Sequence, residues 1–291
     1  MFTRLRKPIV LAMVVMGFSV MLVPEVQAAW ELDMPVGVST LADEIRGLHR
    51  MMLIICAVIC VGVFGFAFYT LATCRRSRGV KAAQFSHSTT AEIIWTVIPT
   101  IILIALAIPT ARTIIAIEDT SGATMSIKIT GYQWKWSYDY LDEDKYFFSS
   151  LDRASAAAAQ LNSGIDPATV EHYLRNVDNA MVVPVNTKVR LLLTANDVIH
   201  SWWVPELYVK KDANPGFVNE AWFEAMETGI YRGQCTELCG RGHAFMPIVV
   251  VVATQERYKQ WLAGNLAWDA AEQQLVATQQ KNETADTLAA L

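Results

Sequence analysis

The sequence predicts a transmembrane α-helical hairpin followed by an all-β domain. Three observations carry this. Two long apolar runs fill much of the first 120 residues, beyond which the pattern changes to short apolar runs separated by Gly, Pro and Asn. Close to the C-terminal end of that β-patterned region, residues 234–246 pack two thiols, an imidazole and a thioether into one loop. Short strands punctuated by turn residues read as a sandwich or barrel. For a chain of 291 residues, 53% hydrophobic residues with positive mean hydropathy is high for a purely soluble protein. Its net charge of -4 gives no indication of a nucleic-acid partner.

Residues 1–29 have the layout of a secretory signal: Arg4, Arg6 and Lys7, then an apolar stretch from Ile9 to Val23, then Ala28 and Ala29 before Trp30. Pro24 and Glu25 break the apolar segment, which favours a cleaved signal over an uncleaved anchor. Residues 30–120 then form the hairpin, with helices over about 51–72 and 93–117, each long enough to cross a hydrocarbon layer. Pro99 and Pro109 fall in the second, where spanning helices tolerate proline if freed backbone groups find other partners. Between the spans lie Arg75, Arg76, Arg78 and Lys81, with no acidic residue before Glu92. Such a loop stays on the cytoplasmic side, so both outer ends of the hairpin face the compartment to which the signal exports the N-terminus. Cys56, Cys60 and Cys74 read as small apolar fillers of the first span and its end.

Residues 121–266 carry the β pattern, clearest over Ser126–Trp136, Lys188–Leu193, Trp222–Met226 and Met246–Ala253. Residues 141–180 look like surface decoration, acidic at first, then rich in small residues, with a helix expected over 167–176. A helix from Gln255 to Leu266 closes the domain, and residues 267–291 form a polar tail to which no chemistry is assigned. The triplet Asn282-Glu283-Thr284 fits a glycosylation sequon, a pattern too common to weigh.

The chemistry concentrates in Gln234-Cys235-Thr236-Glu237-Leu238-Cys239-Gly240-Arg241-Gly242-His243-Ala244-Phe245-Met246. Thiolates select copper, zinc or iron–sulfur centres, imidazole suits copper and zinc, and a thioether tips the choice toward copper. Two thiolates four residues apart are able to bridge two metal ions. Of the five histidines, His49 precedes the first span, His87 lies in the basic loop and His172 in the decoration, which leaves His200 in His200-Ser201-Trp202-Trp203-Val204-Pro205 as the second imidazole. Two copper-free alternatives stay open: a Cys235–Cys239 disulfide and a zinc site of two Cys and two His. No Cys-x-x-Cys-His is present to attach a haem covalently.

These motifs, with Asp212-Ala213-Asn214-Pro215-Gly216 and the aromatic run Gly131-Tyr132-Gln133-Trp134-Lys135-Trp136-Ser137-Tyr138, resemble subunit II of the haem–copper cytochrome c oxidases over roughly residues 40–262. The resemblance implies a cupredoxin-like Greek-key barrel holding the binuclear copper centre called CuA. By position, the side chains of His200, Cys235, Cys239, His243 and Met246 become copper ligands and Glu237 binds through its carbonyl. The Glu237 carboxylate would also take part in a magnesium or manganese site shared with subunit I, where oxygen donors suit a hard cation. Trp134 matches the tryptophan that accepts electrons from cytochrome c, and Asp139, Asp142, Glu143 and Asp144 would steer that donor. Glu92 has two readings: in Thr89-Thr90-Ala91-Glu92 it fits a capping box, and by resemblance it stands at the cytoplasmic mouth of a proton path.

Implied with these roles are a subunit I carrying haem and CuB, a subunit III, proton pumping coupled to oxygen reduction, and a bacterial plasma membrane with the copper domain on its outer, periplasmic side. Tyr132 and Lys135 depart from the family's usual His and aromatic residue, and Lys135 weakens the negative charge beside the port. Cys235 and Cys239 set the chain apart from copper-free quinol oxidase subunits. A CuA-bearing nitric oxide reductase, or a membrane-tethered copper carrier, is the alternative.

Overall fold

A computed structural model describes residues 33–81, 84 and 86–266. The expected signal, the tail and the sequon lie outside them. The chain divides between Met34 and Pro35, and every element below belongs to the second unit.

Helices α1 (Ala42–Thr73) and α2 (Thr89–Glu118) form the hairpin, both long and apolar enough to span a membrane. Each begins earlier than the apolar runs alone indicate, because α1 continues through the polar turns before Met51. The α1 end is closed by the Arg75 guanidinium, whose Nε donates to the Leu71 carbonyl at 2.9 Å. The capping box expected at Thr89 does not form. Ser88 caps α2 instead, its hydroxyl accepting from the Ala91 amide, so Glu92 falls one position too far along to reach back. At the outer ends the helices are tied together by Thr113, buried, whose hydroxyl donates to Glu44 at 2.6 Å.

The β domain contains β1 (Met125–Tyr132), β2 (Lys135–Tyr140), β3 (Lys145–Ser149), a short helix α3 (Arg153–Ala158), β4 (Met181–Pro184), β5 (Lys188–Ala195), β6 (His200–Val204), β7 (Val209–Ala213), β8 (Asn219–Glu224), β9 (Gly229–Cys235), β10 (Pro247–Ala253) and helix α4 (Gln255–Leu262). Two five-stranded sheets result, ordered β3-β2-β1-β5-β8 and β4-β10-β9-β6-β7. The pairs β1–β5 and β4–β10 are parallel and the rest antiparallel, the mixed pairing of a cupredoxin-like Greek-key domain. Along β5 inward residues alternate with half-exposed ones, as a one-sided strand requires. β10 is buried throughout, lying between β4 and β9. Ile127, Ile129, Trp136, Tyr138, Leu191, Leu193, Trp202, Ile248 and Val250 of both sheets share one solvent-free core. Burying each such side chain contributes roughly 1.5–3 kcal/mol.

Two expectations are corrected. The run 126–136 is not one strand: it turns at Gln133–Trp134 and returns as β2. Nor is 167–176 a helix beyond a single turn at Pro167–Thr169, since His172 and Leu174 adopt positive φ, which a right-handed helix excludes. The helix of this region is α3, where the Asp152 carboxylate caps the amides of Ala154 and Ser155.

The β domain is fastened to the end of α2 and to the segment before α1. Trp222 Nε1 donates to the Ala116 carbonyl, Lys188 Nζ donates to the carbonyls of Asp119 and Ser121, and Lys211 pairs with Glu118 at 2.8 Å. Ahead of α1, Val38 donates to the Glu206 carbonyl and accepts from the Met226 amide. The segment before α1 and the end of α2 are therefore both joined to the β domain.

Candidate metal centre

β6 begins at His200 and β9 ends at Cys235, and these strands pair side by side through Trp202 and Cys235. Residues distant in sequence thus meet at one end of one sheet. After Cys235 the chain loops through Gly240, whose φ of 114° suits glycine, and a short turn His243–Phe245 before entering β10. Met246 is buried just ahead of that strand. Close approach of β1 completes the wall, because a Cβ on Gly131 would stand 2.7 Å from His200 Cδ2.

Six donors converge. Cys235 Sγ lies 3.9 Å from Cys239 Sγ, 3.9 Å from His200 Nδ1 and 3.4 Å from the Glu237 carbonyl oxygen. Cys239 Sγ lies 3.5 Å from both His243 Nδ1 and Met246 Sδ. His200 and both cysteines form a buried group whose ligand atoms all lie within 4.8 Å of one another. The thiols are free and nearly twice a disulfide bond length apart. Six donors exceed the four of a closed structural zinc site, and a thioether among them suits copper. The donor set fits copper.

Electrostatics favour a cation here. Burial works against the charged forms, yet the His200 ring and nearby hydrogen bonds hold the Cys235 thiol below its ordinary pKa. Burial and the adjacent Cys235 push Cys239 well above its own. One thiolate is thus easily formed, and the second requires positive charge beside it. Burial depresses His200, but Cys235 and Asp197 more than compensate and raise it.

Surrounding groups fix the ligands. Asp197 Oδ1 lies 2.9 Å from His200 Nε2, which leaves Nδ1 facing the sulfurs. Asp197 Oδ2 accepts from the Gln133 amide at 2.7 Å. The side chain of Gln133 and the indole of Trp134 both donate to the Cys239 carbonyl, at 2.9 and 3.1 Å. Trp134 packs on Gly240 and Gly242, where a Cβ at position 242 would run into the ring. Asp197 and Gln133 were not singled out from the sequence. The signal available for Asp197 was its place three residues before His200, in a turn that it caps itself by accepting from the Val198 amide.

Of the other expected site residues, Glu237 is in the loop with its side chain exposed, and Glu92 is exposed at the opposite end of α2 from the β domain. Asp142, Glu143 and Asp144 are not beside Trp134. They occupy the turn between β2 and β3, and the six residues of β2 put about 20 Å between that turn and Trp134. Asp139 lies within β2, opposite Lys128 of β1.

Two family profiles match this chain: "Cytochrome C oxidase subunit II, periplasmic domain" over residues 125–253 and "Cytochrome C oxidase subunit II, transmembrane domain" over residues 27–112. "Probable cytochrome c oxidase subunit 2" of Rickettsia prowazekii is 38% identical, the match covering 81% of this chain and 72% of that one. "Cytochrome c oxidase subunit 2" of Cereibacter sphaeroides is 37% identical, with 77% of each covered. Among solved structures, the periplasmic domain of subunit II of cytochrome oxidase of Bradyrhizobium japonicum is 41% identical with a TM-score of 0.44, covering 50% of this chain and 96% of that domain. With two apolar helices, a periplasmic β domain and a buried His/Cys/Cys group, the chain is a membrane-anchored component of an oxidoreductase complex and belongs to the cytochrome c oxidase subunit II family.

Proposed function

We propose that this subunit accepts single electrons at a binuclear CuA centre and passes them to haem in subunit I of a cytochrome c oxidase. The observation carrying this reading is the convergence of six donors, two of them free thiols 3.9 Å apart. Two copper ions held here would supply a one-electron store. His200, Cys235, Cys239, His243 and Met246 would hold it by side chains and Glu237 by its carbonyl, at the end of one sheet and in the loop between β9 and β10. With its ligand shell filled by protein, the centre has no open position for substrate, so oxygen chemistry and coupled proton pumping belong to subunit I and its haem and CuB.

Trp134 is the electron port. Its half-buried ring sits on the ligand loop, and its indole N–H is bonded to the carbonyl of Cys239, so the surface and the ligand set are joined without a gap. In this reading cytochrome c is the donor, the exposed Glu237 carboxylate holds a magnesium or manganese ion with subunit I, and Glu92 opens a proton path at the inner face. Subunit III completes the assembly in a bacterial plasma membrane, with the copper domain periplasmic. The basic inter-helix loop and the joined outer ends of the hairpin support that orientation.

Trp134→Phe in the assembled oxidase should keep the copper content and slow reduction by cytochrome c by about two orders of magnitude or more. Stopped-flow reduction measures this. An unchanged rate would favour a copper carrier over an electron-transfer subunit.

A further inference from the structure

Strand β8 and the outer ends of both helices close a ring of hydrogen bonds. At one corner the Thr113 hydroxyl of α2 donates to Glu44 of α1. At the second, the Trp222 indole N–H of β8 donates to the Ala116 carbonyl in the last turn of α2, at 3.1 Å. At the third, the carbonyl of Glu224 at the end of β8 accepts from the Thr40 amide just ahead of α1, and the next residue, Ala225, pairs with Ser39. Lys188 of β5 reinforces the second corner. The last turn of α2 holds no basic residue of its own, and the positive charge that suits a helix C-terminus comes from β5. The Lys188 ammonium donates to the carbonyls of Asp119 and Ser121 at 2.8 and 2.7 Å and lies 4.0 Å from the centroid of the Trp222 ring. Glu220, on the same strand as Trp222, accepts from the Thr120 hydroxyl and pairs with Arg190. A domain held at one point can swing about it, whereas a closed ring admits no rotation without breaking a bond.

We propose that Trp222 and Lys188 are positioning residues for the onward electron step: they hold the β domain at one attitude to the hairpin, and so the metal centre at one distance from haem in subunit I. This rests on the reading of the chain as the electron-transfer subunit of a cytochrome c oxidase. One electron leaves the centre, which is oxidised, and reduces the haem, with no bond made or broken in this chain. The joint lies at one end of β5 and the centre at the other. Lys188 opens the strand, and Ala195 at its far end pairs with Gly131, which packs on His200. The eight residues of β5 span about 23 Å, so a tilt of about 3° at the joint displaces the far end by about 1 Å. Errors of that size slow a step that depends on position by up to about 100-fold. Uptake at Trp134 takes place within the β domain, which a tilt moves as one body.

The test uses the assembled oxidase carrying Trp222→Phe and Lys188→Met together, which keep an aromatic ring and an apolar stem but remove both donors. A flash-excited ruthenium complex injects one electron into the metal centre, and haem absorbance follows its onward transfer. That transfer should slow by about three- to tenfold. Copper content, the electron paramagnetic resonance spectrum and the rate of reduction by cytochrome c should stay as in the unsubstituted enzyme. Lys188→Arg alone, which keeps a cationic donor, should pass electrons at the unsubstituted rate. Should the double variant fail to assemble, Lys188→Met is read against Lys188→Arg: slower transfer in the first alone supports the proposal, and equal rates overturn it. Onward transfer at the unsubstituted rate in the double variant would overturn it too, since subunit I would then fix the domain unaided. A changed copper spectrum, or uptake slowed as much as onward transfer, would place the effect at the centre and likewise overturn it. An unsubstituted oxidase whose centre passes no electron to haem would instead sink the reading on which the proposal rests.

Discussion

Cys239→Ser should empty the centre of copper and end electron uptake by the subunit. Cys239 is buried and stands 3.5–3.9 Å from Cys235, His243 and Met246, so it faces three of the other five donors. A serine hydroxyl is not a thiolate, and metal affinity in such a site depends on deprotonated sulfur. Copper analysis of the purified complex is the check, with thermal unfolding to separate loss of metal from loss of fold. Cys74→Ser, at the exposed end of α1, should keep the full copper complement. Copper retained in Cys239→Ser at the level of Cys74→Ser would refute its role as a bridge.

Asp197→Ala should weaken copper binding by about 10–100-fold, the usual effect of removing the partner that orients a ligating histidine. His200 is wholly buried, and its Nε2 would lose the carboxylate 2.9 Å away that turns Nδ1 toward the sulfurs. The Gln133 amide would lose its acceptor too, and Gln133 also holds the Cys239 carbonyl, so one change loosens both sides of the site. Asp197→Asn keeps an acceptor of the same shape and should lie between wild type and alanine. Competition against a copper chelator orders the three. Equal affinities would mean that Gly131 and the β-sheet contacts fix His200 unaided.

Much of this arrangement was legible in the sequence because the informative residues carry local signals. Two apolar runs with a basic loop between them specify a hairpin and its orientation. A thirteen-residue loop with two Cys, a His and a Met specifies a soft-metal site, and copper fits it better than zinc once the thioether is counted. What escaped was geometry made by long-range pairing. The turn at Gln133–Trp134 interrupts a run of alternating apolar and polar residues that reads as one strand, and only the register of β1 against β2 reveals it. That same register carries the acidic turn away from Trp134, so closeness in sequence misled about closeness in space. Asp197 was not singled out because its pairing with His200 depends on where β6 begins.

Ser88 shows the limit of motif matching on a smaller scale. Thr89 to Glu92 has the spacing of a capping box, yet the helix starts one residue earlier on a better-placed hydroxyl. Glu92 is then free of a capping role, exposed among Thr89, Ile93, Thr96 and Val97 around a shallow cavity of about 280 Å³.

The central claim is that Cys235 and Cys239 bridge two copper ions which share an electron. Copper per subunit, measured with the electron paramagnetic resonance spectrum of the oxidised protein, tests it most directly. The account predicts two copper ions with one unpaired electron spread over both. A single localised copper, or zinc in its place, would contradict it.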